Sequence, residues 1–142
     1  MTGYPDSNFA SFFEAEARLV DRGHDVFNPA RHDVEQGFDP RGRGITTRED
    51  MEAAGFNIRH AMHDDLAWIT KHAEAIVVLH GWSTSAGTLA ELATARAIGI
   101  PMYTFAALLR FPHDDPKPLE WLKILRLATS HEEYKLSVMP YG

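Results

Sequence analysis

The sequence predicts an α/β fold, a single domain with a parallel sheet and flanking crossover helices, and three observations carry that expectation. Ala75-Ile76-Val77-Val78-Leu79 is apolar without alternation, as expected of a parallel strand buried on both faces. A Ser/Thr/Gly loop and an Ala-rich helical stretch follow, ending at Ile98 before Gly99. The chain then resumes a strand pattern in Ile100-Pro101-Met102-Tyr103-Thr104-Phe105. Strands in one sheet joined through helices are parallel, and the order helix–strand–helix–strand–helix–strand calls for crossovers.

The elements follow in chain order. Residues 8–22 read as a helix, because Phe9, Phe12, Phe13 and Leu19–Val20 recur at helical spacing, broken only by Glu16, and Gly23 is a natural stop. Asp25-Val26-Phe27-Asn28 reads as a short strand closed by Pro29. Residues 30–55 are polar and punctuated by Gly37, Gly42, Gly44 and Gly55, long for a plain connection, so a mobile loop is expected there, either a functional lid or a partly disordered segment. Its Arg31, Arg41, Arg43 and Arg48 either scatter over a solvated loop or close over an anionic small molecule.

Residues 57–72 form the second strong helical pattern, with Ile58, Met62, Leu66 and Ile69 on one face and Asp65 flanking that stripe. His60 and His63 have a spacing that can hold a metal, but they share the polar face with Asp64 and Lys71, so no metal is expected. Pro112, Pro116 and Pro118 mark a turn before a last helix at 119–127. Tyr134-Lys135-Leu136-Ser137-Val138 alternates weakly, as an edge or interface strand would.

Composition narrows the function. At 142 residues the chain is long enough for one core, and 44% apolar with 24% charged residues is ordinary for a globular protein. A net charge of −6 argues against a nucleic-acid surface. The apolar runs are shorter than a membrane span needs, and no secretory pattern opens the sequence, so a cytoplasmic protein is expected. The absence of cysteine excludes a disulfide scaffold, a thiol nucleophile and a cysteine zinc site. No Ser–His–Asp order, phosphate-binding P-loop or dinucleotide fingerprint is present, and no cofactor is expected.

The chemistry concentrates in Ser83-Thr84-Ser85-Ala86-Gly87-Thr88-Leu89-Ala90-Glu91. Hydroxyls and backbone N–H groups at a helix N-terminus suit a phosphate or another anion. Glu91 follows within about a turn, where the helix dipole favours its ionised form. The alternative is structural: Thr88-x-x-Glu91 fits a capping box, in which hydroxyl and carboxylate only satisfy helix-end donors. Trp82, directly before the loop, either lines a base pocket or fills core, and Trp68 carries the same two readings.

Met1-Thr2-Gly3-Tyr4-Pro5-Asp6-x-Asn8, Val26-Phe27-Asn28-Pro29, Asp65-Leu66-x-x-Ile69 and Gly81-Trp82-Ser83-x-Ser85-x-Gly87-x-x-x-Glu91 together resemble an unassigned phage and bacterial branch of the nucleoside 2-deoxyribosyltransferase-like superfamily. The set is similar to the deoxynucleoside 5′-monophosphate N-glycosidases and hydroxymethyl-CMP hydrolases of that superfamily. The resemblance implies a Rossmann-like domain that cleaves the base–sugar bond of a nucleoside monophosphate. It implies Glu91 as the nucleophile on the anomeric carbon and Asp65 as the acid that positions the sugar and assists the base. Ser85, with the Gly87 backbone, falls where the phosphate is held, Ser83 is a further substrate-binding candidate, and Gly3 belongs to a loop closing around sugar and phosphate. Tyr4 either contacts the sugar or packs on the turn surface.

The resemblance further implies a homodimer or larger homo-oligomer, a strand ahead of the Met1 segment from an upstream start or a partner chain, and an arginine where Thr2 stands. Two alternatives remain beside hydrolysis: transfer of the deoxyribosyl group to a second base, and nucleotide sequestration without turnover.

An oxocarbenium-like transition state explains the demand for two carboxyl groups. An ionised carboxylate below C1′ stabilises or captures the cation, as in retaining glycosidases. A second carboxyl beside an apolar stripe binds its proton more tightly, which suits it to share that proton with the leaving base.

Overall fold

In the computed structural model, which describes residues 8–110 and 116–130, the first helix, α1, spans Phe9–Asp21. Its buried side is Phe9, Ala15 and Leu19. Gly23, at φ 88°, reverses the chain: its N–H donates to Val20 and the His24 N–H donates to Leu19, which satisfies the last carbonyls. The stretch 24–28 has no regular secondary structure and pairs with no strand among the described residues, against the strand expected there. Asn28 explains the difference. Its side-chain oxygen accepts from the N–H groups of Ala30 (2.9 Å) and Arg31 (3.3 Å), so it opens helix α2 (Pro29–Glu35) with Pro29 in the first turn.

A third helix, α3, spans Arg48–Ala53 behind Thr47, whose hydroxyl accepts from the Asp50 N–H at 3.1 Å. The polar stretch 30–55 therefore carries two helices, and it supplies Ala30, Phe38, Ile45 and Met51 to a core that also holds Phe9. Phe12, Phe13, Val34, Ala54 and Phe56 pack against that core. These apolar residues lie too far apart in sequence to display a period, which is why the segment reads as open loop.

Helix α4 spans Ile58–His72, with Asn57 accepting from the His60 N–H at 3.1 Å. Its buried line is Ala61, Asp65 and Ile69, whereas Ile58, Met62 and Leu66 are half-buried. Asp65 thus belongs to the buried face itself and does not flank it. The chain divides into two compact units, Met1–Trp68 and Ile69–Gly142, and the boundary falls within α4.

The second unit is built on a strand–helix–strand motif. Strand β1 (Ile76–Val78) leads through a 3-10 turn (Trp82–Thr84) into α5 (Ala86–Ala97), and β2 (Met102–Thr104) returns parallel to β1. The register pairs Ile76 with Met102, Val77 with Tyr103 and Val78 with Thr104. Gly99, at φ 80°, ends α5 in the same way as Gly23 ends α1, with the Ile100 N–H donating to Ala95. Phe105, expected in the strand, instead opens α6 (Phe105–Arg110), and α7 spans Trp121–Ser130. Between them Leu119 donates its N–H to Met102 at 2.9 Å, in an isolated antiparallel bridge beside β2.

Val78, Leu92, Met102 and Ile124 form the core of this unit, with Ile76, Trp82, Leu119 and Trp121 against it. The protein is α/β with a two-stranded parallel sheet. The strand expected at 134–138 lies outside the described residues. No helix among the described residues is long and apolar enough to cross a membrane.

Candidate functional site

The loop after β1 turns tightly because Gly81 adopts φ 84°, a conformation that side chains disfavour. The N–H groups of Trp82, Thr84 and Ser85 then donate back to Leu79, Gly81 and Trp82. They are used by the turn and are not offered to a ligand. Ser85 is the N-cap of α5, its Oγ accepting from the Thr88 N–H at 3.2 Å and from the Thr88 hydroxyl at 3.1 Å. Two acceptances leave the one O–H donor of Ser85 unused by either bond. Ala86 and Gly87, the first two residues of α5, carry N–H groups that no helical carbonyl can reach.

The cap assignment corrects the expected capping box. Thr88 is the third helical residue and not the cap, so Glu91 stands at the sixth, and the first turn of α5 holds no acidic residue. The dipole acts mainly within the first turn and so favours a Glu91 anion less than the sequence implied. The spacing still places Glu91 on one helix face with Gly87, four residues earlier and roughly 6 Å along the axis. Gly87 adds no side chain to the surface between its N–H and Glu91. Ser83 and Glu91 are half-buried, and Trp82 packs partly exposed against the second core.

The first unit holds a different kind of site. His32 of α2 meets Asp64 of α4 with 2.7 Å between Nε2 and Oδ2, and His60 approaches the same oxygen at 3.2 Å. Its hydrogen bond to Asp64 raises the His32 pKa above the ordinary histidine value, and the same bond holds Asp64 below the ordinary carboxylate value. The residues next in sequence, Asp33 and Asp65, are both buried, at 5% and 8% exposure. Burial, then the charge of Asp65, pushes Asp33 up to about 7. Beside this cluster the Phe27 ring stacks on Trp68, with centroids 4.9 Å apart and planes at 14°, and lies 5.6 Å from the His32 ring.

The structure therefore groups Trp82, Ser83, Ser85, Gly87 and Glu91 around one helix start in the second unit, while Asp65 belongs to the buried cluster of the first. Gly3 and Tyr4 lie outside the described residues. The sequence reading missed His32, Asp33 and Asp64. A usable signal existed: Asn28-Pro29 is a helix-start pair that places His32 and Asp33 on a helix.

Three of the four arginines of 30–55 are held by carboxylates of their own unit. Arg31 chelates Glu16, Arg41 bonds Asp39 at 2.8 Å, and Arg48 reaches Glu52 at 3.3 Å. Arg31 and Arg41 also lie over the Phe13 ring, 5.0 and 4.6 Å from its centroid. They are engaged on the surface of the first unit, and closing on a ligand would require exchanging these partners.

The model of one protein family, described as a domain of unknown function (DUF4406), matches residues 1–104, and the chain belongs to that family. The matched span runs through β2 and includes both the α5 site and the His32–Asp64 cluster. Comparison with curated proteins and with solved structures finds no match.

Proposed function

We propose that this member of the DUF4406 family is a nucleoside 5′-monophosphate N-glycosidase with a Rossmann-like, nucleoside deoxyribosyltransferase-like fold. The observation that carries the reading is the shared face of Gly87 and Glu91 on α5, one turn apart. The phosphate is held by the N–H groups of Ala86 and Gly87 and the Ser85 hydroxyl, with Ser83 and Trp82 beside them. One turn of separation keeps the carboxylate apart from the phosphate, so both anions are tolerated. Glu91 attacks C1′, the base leaves taking up a proton, and water then breaks the glycosyl–Glu91 ester to release the sugar 5-phosphate. The protein works as a homo-oligomer, and the reaction belongs in the cytoplasm. No cofactor takes part.

The test is release of free base from a panel of nucleoside 5′-monophosphates, with and without a second base. Glu91→Gln keeps the shape and removes the nucleophile, so release falls by about a thousandfold or more. Exchange of bases identifies the deoxyribosyltransferase instead. One observation favours a non-catalytic nucleotide-sequestering protein: Glu91 stands beyond the first turn, where its anion gains least from the helix. Tight nucleotide binding by calorimetry with no product formed decides for that reading and against hydrolysis.

A further inference from the structure

We propose that the His32–Asp64 contact between α2 and α4 is a proton-operated latch, which fastens α2 while its groups hold protons and frees it as they lose them. The argument starts from geometry. One carboxylate oxygen, Oδ2 of Asp64, receives His32 at 2.7 Å and His60 at 3.2 Å, from two different helices. A carboxylate between two imidazoles is best satisfied when a ring is an imidazolium, because both ring nitrogens then donate. The latch also draws in Asp33 and Asp65, the next residue along each helix, exposed by only 5% and 8%. Two carboxyl groups sharing one buried region are tolerated while one of them is neutral.

His32 faces Asp64 and Asp65 from α4 and Asp33 from its own helix. Asp33 faces Asp65 and Asp64 from α4, with His32 beside it. Asp64 faces His32 from α2, and His60 and His63 on its own helix. From α1, Glu16 is taken up by Arg31.

The signs agree across neutrality. His32 is held above its ordinary value of 6.5, so its contribution is complete below pH 6.5 and fades as pH rises through the elevated value. Asp33 is raised from 3.8 to about 7, so the closed latch favours its neutral form and loses stability as pH climbs from 3.8 to about 7. Asp64 is held below 3.8, and its contribution disappears only in acid, as pH falls through the depressed value. The latch is firm in acid and loosens as pH rises through neutrality, Asp33 acting up to about pH 7 and His32 above 6.5. Opening admits water to Asp33 and Asp65, and it disturbs the Phe27–Trp68 stack that abuts His32.

Amide hydrogen exchange on the full chain between pH 5.5 and 8, corrected for the intrinsic pH dependence of exchange, tests this directly. Each linked proton changes an opening constant by at most about tenfold per pH unit. Protection of α2 is expected to fall at least about tenfold over that range, while that of α5 changes less than about threefold. Asp33→Asn, neutral at every pH, retains most of the α2 protection at pH 8, and His32→Gln loses it at pH 5.5. A flat wild-type profile for α2, or an equal fall in α2 and α5, overturns the latch. The wild-type profile decides alone if a variant does not fold.

Discussion

The two units solve the same local problem with the same device and then diverge in what they bury. Each starts a helix on a capping side chain: Asn28 for α2 in the first unit and Ser85 for α5 in the second. In the first unit the described buried residues include Asn28, Asp33 and Asp65 beside an apolar core. In the second the described buried residues are apolar throughout, and the polar residues at the start of α5 are exposed or half-buried. Buried ionisable groups make a region answer to protons, because their charge state is coupled to folding. Backbone donors at a helix start have no such titration, and they answer to anions. On the two proposals made above, the contrast is between a proton-sensing region and an anion-accepting one.

The largest expected effect tests whether the two cores are comparable as packing. Phe9 and Met102 are both fully buried, one in each core. Phe9→Ala removes an aromatic ring that also meets Phe38 edge-on at 6.3 Å, and about 3–5 kcal/mol of stability is expected to go with it. Met102→Ala is expected to cost about 2–5 kcal/mol, through lost contacts with Val78, Leu92 and Ile124. Urea unfolding at pH 6 and 8 checks both. A loss below about 1 kcal/mol in either variant would mean that its core refills the cavity, and the two packings would not be equivalent.

The capping residues give a smaller effect and a sharper contrast. Asn28 accepts two backbone N–H bonds and donates Nδ2 to the Phe12 carbonyl at 3.4 Å, all at 5% exposure. Asn28→Ala leaves buried donors unsatisfied and is expected to cost about 2 kcal/mol. Ser85 is only half-buried, so water can replace it, and Ser85→Ala is expected to cost about 1 kcal/mol. The discriminating measurement is nucleotide affinity by calorimetry, because Ser85→Ala weakens binding if its hydroxyl holds phosphate, whereas Asn28→Ala changes stability alone.

Particular residues show how far the sequence carries these conclusions. β1, α5 and β2 are legible because local signals coincide: a non-alternating apolar run, an Ala-rich helix and the stop at Gly99. Glu91, Ser85 and Gly87 are legible as neighbours for the same reason, since one helix and its cap contain all three. The cap itself is a near miss: Ser85 and Thr88 both fit the cap position, and only backbone geometry separates them. Asn28-Pro29 satisfies two patterns, a strand closed by proline and a helix opened by it, and the helix prevails because the Asn28 side chain bonds forward to Ala30 and Arg31. The pairing of His32 with Asp64 joins residues far apart in the chain, and no local spacing announces it. Asp65 shows the limit most clearly. A period computed from apolar residues alone leaves an aspartate out of the buried line that Ala61 and Ile69 define.

The smallest expected effect concerns Arg48, the arginine whose surroundings oppose one another. Its bond to Glu52 at 3.3 Å joins half-exposed side chains four residues apart, an arrangement that contributes about 0.3–0.5 kcal/mol. It is also the first residue of α3, where the positive end of the helix dipole disfavours a cation by a similar amount. The two effects nearly cancel, so Arg48→Ala is expected to change stability by less than about 0.5 kcal/mol in urea unfolding. That neutrality makes the variant informative about binding. If Arg48→Ala raises the KM for a nucleoside monophosphate while kcat and stability stay level, the arginine takes part in holding the substrate, and the proposed division between proton-sensing and anion-accepting regions is broken. If KM also stays level, the arginine–carboxylate pairs of 30–55 belong to the surface of the first unit, and the division stands.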